Sequence, residues 1–270
     1  MSNRAIIRTL FGDVENNERL RTMVNVALEN ENSFFKENSS LQPLAYFVLG
    51  DKNEEYLKER NVKNIIKISS QSDARPHQEI PIYYNKTYLA NEAFKLWGKN
   101  IEMLLLDMDV QIFKWPDETM WELYGLKKNN ITHFQSPIRC GYKHNQRVPI
   151  KPEDDNIEGI VRNALICSCI IYCNDQTMWE EYLNTYEELY QRLKSNPWYY
   201  RITRRGSKLL LPAFHDEHTL FFWFDKKFGI KTIAEIVEMV EPHSVTKFFQ
   251  SPPEAKAMKQ KANLYFKHRG

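Results

Sequence analysis

Asp107 and Asp109 stand one residue apart, directly after the apolar run Met103–Leu106 and directly before Val110-Gln111-Ile112-Phe113. Two carboxylates held that close at the end of a buried strand repel each other and lose hydration. A divalent cation removes both penalties. Mg2+ and Mn2+ take hard oxygen ligands and are commonly held by one or two carboxylates together with phosphate oxygens. A nucleoside diphosphate supplies such phosphates, and the cation would neutralise the charge that develops on it as a leaving group. The other reading of the same residues is a surface turn whose aspartates cap the backbone.

The elements around this pair set where it stands. Arg4–Leu10 (RAIIRTL) reads as a first strand that ends at the turn residues Phe11-Gly12-Asp13. Leu20, Met23, Val24, Ala27 and Leu28 recur at helical spacing within residues 16–30, and the polar stretch 31–42 reads as a loop. Leu44–Leu49 is a continuous apolar run of the kind buried in a parallel sheet. A short helix over Glu54–Arg60, a strand over Val62–Ile68, a helix over Asn85–Trp97 and a strand over Ile101–Leu106 follow. Strand and helix thus alternate up to Asp107, which predicts a mostly parallel central sheet with helices on its faces. Ligands of such sheets sit at the carboxyl ends of the strands, where Asp107 falls.

Beyond residue 113 the pattern is more mixed. Ile131–Ser136 and Ala164–Tyr172 read as strands. Asn174–Ser195 reads as a helix, with Trp179, Tyr182, Leu183 and Tyr186 on one face and Thr177 with Glu180 as a capping box. Residues 217–224 read as the start of a further helix. The tail Pro253–His268 reads as a short basic helix, packed on the domain or, less in keeping with its thin apolar face, lying on a membrane surface. Of the four cysteines, Cys167, Cys169 and Cys173 share one apolar segment and read as small buried residues, since their spacing is not a usual zinc knuckle.

The 270 residues and 42% hydrophobic content suffice for one sizeable core. A net charge of +2, from 37 basic and 35 acidic residues, gives no global attraction to nucleic acid or anionic lipid. Anion recognition must then be local. No apolar run is long enough to span a bilayer, and residues 1–11 lack the layout of a secretory leader, which predicts a soluble, cytoplasmic protein.

The segment LLLDMDVQIF resembles the hydrophobic, Asp-x-Asp, hydrophobic strand end of the GT-A glycosyltransferases, and Asn85-Lys86-x-x-x-Leu89 resembles the segment these enzymes place before it. Asn163–Tyr172 lies where many members carry an Asn-Ser-Gly strand, with Cys167-Ser168-Cys169 in its place here. Phe214–Leu220 resembles the acidic acceptor-side motif, and His243-Ser244-Val245-Thr246-Lys247 resembles the late His…Lys element of the glycogenin-like branch, with a shorter spacing. The resemblance implies a single GT-A (Rossmann-like) α/β domain over residues 1–270. Residues 1–113 would hold a nucleotide-sugar, 114–250 the acceptor, and 251–270 a basic helix. It implies transfer of a sugar, from a UDP-sugar by preference, to a hydroxyl of a glycan or other acceptor.

The resemblance also assigns roles. Asp107, Asp109 and His243 would hold Mn2+ or Mg2+. Lys247 or Lys86 would meet the diphosphate, and Thr9, Leu10 and Phe11 would cradle the base, with Asp13 reaching base or ribose. Asp216 or Glu217 would take the proton of the acceptor hydroxyl, or face the sugar if configuration is retained. Each has a plainer reading: Asp216 as a helix cap, His243 as a packed residue, the lysines as solvated charges, Thr9–Asp13 as an ordinary turn. Arg201, Arg204, Arg205 and Lys208 around Gly206 read as an exposed turn or as a loop closing over the diphosphate. Two other functions fit parts of the pattern. One is a nucleotidyltransferase that makes sugar nucleotides, although a Gly-x-Gly first loop is missing. The other is a non-catalytic carbohydrate- or protein-binding module built on the 14 tyrosines and 6 tryptophans.

Overall fold

The computed structural model describes residues 4–38, 41, 44–68, 84–125, 131–135, 167–194, 219, 223, 226, 227 and 265–268. The first half alternates as its periodicity predicts: β1 (Arg4–Leu10), α1 (Glu18–Glu37), β2 (Ala45–Leu49), α2 (Asp51–Lys58), β3 (Ile65–Ile68), α3 (Tyr84–Trp97) and β4 (Glu102–Leu106). After it come β5 (Val110–Ile112), α4 (Glu118–Gly125), β6 (Ile131–Gln135), β7 (Cys167–Cys173), α5 (Gln176–Lys194) and β8 (Phe266–His268). The chain is thus a mixed, mostly parallel α/β fold. Its six-stranded sheet has the order β3-β2-β1-β4-β7-β6.

β1, β2, β3 and β4 pair in parallel, while β7 runs antiparallel to β4 and to β6. The chain leaves β1 toward β2 and β3 and then returns to place β4 on the other side of β1. A right-handed crossover in each direction puts the two connecting helices on opposite faces. The contacts agree. Arg8 of β1 and Tyr46 of β2 both bond Glu31 of α1. Phe47, next in β2, points to the other face and meets Trp97 of α3 at 5.2 Å between ring centroids.

Each face has its own core. On the α1 side Ile6, Leu10, Val48, Leu104 and Leu106 pack with Val24 and Leu28 of α1. On the other side α3 and α5 lie together. Phe94 of α3 is 6.3 Å from Trp179 of α5, and the Trp179 indole donates to the Thr87 carbonyl at 2.9 Å. Trp179 is fully buried, so that bond satisfies a donor with no access to water.

Three local expectations are corrected. Residues 31–37, predicted as loop, continue α1, because Glu31 is an anchor inside the core and Phe34 and Phe35 pack on Trp115. α5 is capped by Asp175, whose Oδ1 accepts from the Thr177 amide at 2.8 Å, and not by Thr177. The Asp175 carboxylate, two residues earlier, reaches the free N–H groups of Thr177 and Met178. Phe266–His268, predicted as the end of a helix, is a strand paired antiparallel with β5, with Phe266 buried against the α1 core.

Candidate functional site

A parallel sheet that reverses its direction of growth leaves a crevice beyond the carboxyl ends of the two strands at the reversal. Here these are β1 and β4. Arg8 is paired with Leu106, so Thr9 and Asp107 follow side by side as the strands end. Side chains alternate along a strand. Arg8 and Leu106 face α1, so Thr9 and Asp107 face α3. The first turn of α3 starts at this same end, and its Lys86 reaches down to Asp107: Nζ lies 2.6 Å from Oδ1. Lys86 is 3% exposed and Asp107 31%, so an almost fully buried ammonium meets a carboxylate open on one side.

The backbone after Asp107 turns tightly. The Val110 amide donates to the Asp107 carbonyl at 3.1 Å, and the Asp107 amide is held by the Cys169 carbonyl of β7 at 2.8 Å. Met108 points into the core at 6% exposure, Asp107 and Asp109 are each half-buried, and the Asp109 Oδ1 atom is sealed from solvent.

Arg8 fixes this turn from beneath. It is fully buried, and its guanidinium donates to the carbonyl of Asp107 and, at 2.6 Å, to that of Val110. Its Nε donates to Glu31 Oε1 at 2.6 Å, and Glu31 Oε2 accepts from the Tyr46 hydroxyl at 2.7 Å. Burial alone would lower the pKa of Arg8; Glu31 overrides it and the guanidinium ends above its usual range. Burial, with Glu31 next in effect, pushes the Tyr46 phenol well above its usual value. On the far side of β5, the Asn30 amide of α1 exchanges two bonds with Ile112, donating to its carbonyl at 3.0 Å and accepting from its N–H at 2.7 Å. One strand pair thus continues as a pseudo-strand contact with a helix side chain.

The sequence-derived site residues separate into three groups. Thr9, Lys86, Asp107 and Asp109 come together at the crevice. Leu10 and Asp13 do not bring their side chains there: Leu10 is in the α1 core, and the exposed Asp13 carboxylate closes a turn by accepting from the amides of Glu15 and Asn16 at 3.1 and 3.0 Å. The Asn16 side chain is the main reason its pKa lies below the usual range. Phe11, half-buried, follows directly on β1. Asp216, Glu217, His243 and Lys247 lie outside the described residues, as do Arg201, Arg204, Arg205 and Lys208.

Arg8, Glu31, Tyr46 and Asn30 escaped the sequence reading. A signal was present. Arg8 sits between Ile6 and Leu10 on the inward alternation of its strand, and Glu31 continues the Val24, Ala27, Leu28 stripe. Opposite charges at core positions of two neighbouring elements are the mark of a buried pair.

The donor set suits a hard divalent cation. It consists of two carboxylates, and Asp107 already accommodates the Lys86 ammonium at one oxygen. Among the described residues no group of three or more His, Cys, Asp or Glu side chains converges, so at most two of them could ligate a cation here.

No family model matches the chain, and no curated protein matches it. Solved structures do overlay on it. The galactosyltransferase LgtC, in complex with donor and acceptor sugar analogs, is 13% identical, with a TM-score of 0.41 over 82% of this chain and 70% of that one. A glycosyltransferase involved in glycosylation of the major capsid of PBCV-1 is 11% identical, with a TM-score of 0.38 over 95% of this chain and 98% of that one. Among the described residues, no helix is long and apolar enough to cross a membrane.

Proposed function

We propose that this chain is a metal-dependent glycosyltransferase that moves a sugar from a nucleoside diphosphate, UDP by preference, to a hydroxyl of a glycan or other acceptor. The observation that carries the reading is the Asp107-Met108-Asp109 turn at the β1/β4 crevice, with Lys86 of α3 aimed at the same point. Carboxylates and a buried ammonium there match a ligand that is itself a cation–diphosphate pair.

Asp107 and Asp109 would hold Mn2+ or Mg2+, with His243 as a third ligand. When bound, the cation supplies Lewis-acid neutralisation of the departing diphosphate. Lys86 and Lys247 meet the phosphates as point charges. Thr9 and the backbone leading to Phe11 border the nucleotide. The acceptor oxygen bonds to the anomeric carbon while the bond to the diphosphate oxygen breaks and its electron pair leaves with the diphosphate. Asp216 or Glu217 takes the acceptor proton, or stands against the positive charge on the sugar if configuration is retained.

A screen of nucleotide-sugars scored by nucleotide release, with Mn2+ and with chelator, tests this. Release of a nucleoside diphosphate from one donor class, only with metal, is the expected result. No release from any donor, or release of inorganic pyrophosphate from a nucleoside triphosphate and a sugar phosphate, sinks it.

A further inference from the structure

Lys86 is nearly sealed from water, and its ammonium rests on a carboxylate oxygen of Asp107, one of the two residues proposed to hold the cation. A buried lysine is costly unless paired, and Asp107 supplies a partner at 2.6 Å. In this state the Lys86 ammonium offsets part of the carboxylate charge. Asp107 and Asp109 bring two negative charges and Lys86 one positive. Adding a divalent cation alone takes the trio from one net negative to one net positive charge, with the ammonium displaced from Oδ1 but unable to leave a helix that is packed on the sheet and α5. Adding the diphosphate with the cation removes the excess positive charge and offers the ammonium new oxygens.

From this geometry we infer that Lys86 is an exchange residue that makes cation and nucleotide bind together. It holds Asp107 in the ligand-free protein, opposes a cation arriving alone, and turns to phosphate oxygens when the diphosphate arrives. This inference rests on the nucleotide-sugar reading above, and goes beyond it by assigning an order to the site. Arg8 keeps Asp107 in place throughout, because its guanidinium holds the Asp107 carbonyl. Coupling between two ligands is reciprocal, so the same device raises nucleotide affinity when metal is present.

The test is binding of Mn2+ alone, followed by the electron paramagnetic resonance signal of the free ion, with and without UDP. In the parent protein UDP should tighten Mn2+ binding between about 5- and 150-fold. Lys86→Met keeps the length and removes the charge. It should bind Mn2+ alone about tenfold more tightly than the parent, and lose most of the enhancement by UDP. Lys86→Arg should keep the parent pattern. If Lys86→Met does not fold, Lys86→Gln is read by the same criterion. Mn2+ binding no tighter in the neutral variant than in the parent overturns the inference while leaving the metal site standing. A parent protein that takes up no Mn2+ even with UDP overturns the nucleotide-sugar reading itself, and the exchange role with it.

Discussion

The Arg8 guanidinium donates to the Val110 carbonyl at 2.6 Å, across the sheet from the end of one parallel strand to the residue that closes the acidic turn after another. Through this bond and its partner at the Asp107 carbonyl, a charge buried in β1 sets the direction in which Asp107 and Asp109 project. Glu31 and Tyr46 complete the arrangement by neutralising the charge and bonding the carboxylate.

Breaking this cluster at one point should be far worse than removing it. Glu31→Gln leaves a fully buried guanidinium without its counter-charge and should cost about 3–5 kcal/mol of unfolding free energy. The combined variant Arg8→Met, Glu31→Met, Tyr46→Phe leaves no buried charge and should lie within about 2 kcal/mol of the parent. Urea unfolding of both measures the difference. In the combined variant, faster hydrogen exchange at the amides of residues 108–110 would report the freed turn; unchanged protection there would mean that Arg8 does not hold it.

Alkaline pH should destabilise the fold from about pH 8.5 upward. Burial pushes the Cys173 thiol well above its usual range, and it is fully enclosed with its Sγ directed at the Asp175 carbonyl at 3.3 Å. Its stabilising effect is complete while the unfolded thiol is still protonated. As pH passes that point only the unfolded chain ionises, and stability falls by about 1.4 kcal/mol per pH unit. Tyr46 adds the same sign of effect above about pH 10. Between pH 8 and 10 the parent should lose about 2 kcal/mol more than Cys173→Ala. Equal losses in denaturant titrations of the two would contradict the assignment.

The C-terminal strand should matter to the site although it lies far away in sequence. β8 pairs with β5, Tyr265 accepts from the Phe113 amide at 2.8 Å, and its hydroxyl bonds Asp117 at 2.9 Å. Phe266→Ala removes a buried ring and should cost about 3–5 kcal/mol. Because β5 begins at Val110, the same variant should weaken Mn2+ binding in the presence of UDP. Thermal melts with and without Mn2+ and UDP would show a smaller ligand-induced rise in Tm than in the parent.

The sequence made the parallel half of the sheet legible because β2 and residues 103–106 of β4 are unbroken apolar runs, and α3 buries Tyr88, Leu89, Ala93 and Phe94. Asp107 and Asp109 stood out in the sequence because two carboxylates one residue apart after a buried strand repel each other unless something partners them. Lys86 was legible only by resemblance, since a lysine in a first helical turn is ordinarily solvated. The extension of α1 was not legible: residues 31–37 read as polar, yet Glu31 is buried and bonded to partners 15 and 23 positions away on two strands. β8 was hidden for a similar reason. Three residues carry no periodicity, and only the exposed edge of β5 makes them a strand.

Asp107 and Asp109 are proposed to bind a cation together with a nucleoside diphosphate. Calorimetric titration of UDP into the protein, with Mn2+ and with chelator, tests it most directly when repeated on Asp109→Ala. The account predicts binding heat that requires Mn2+ and disappears in the variant. UDP heat that is independent of metal, or that is unchanged in Asp109→Ala, would contradict it.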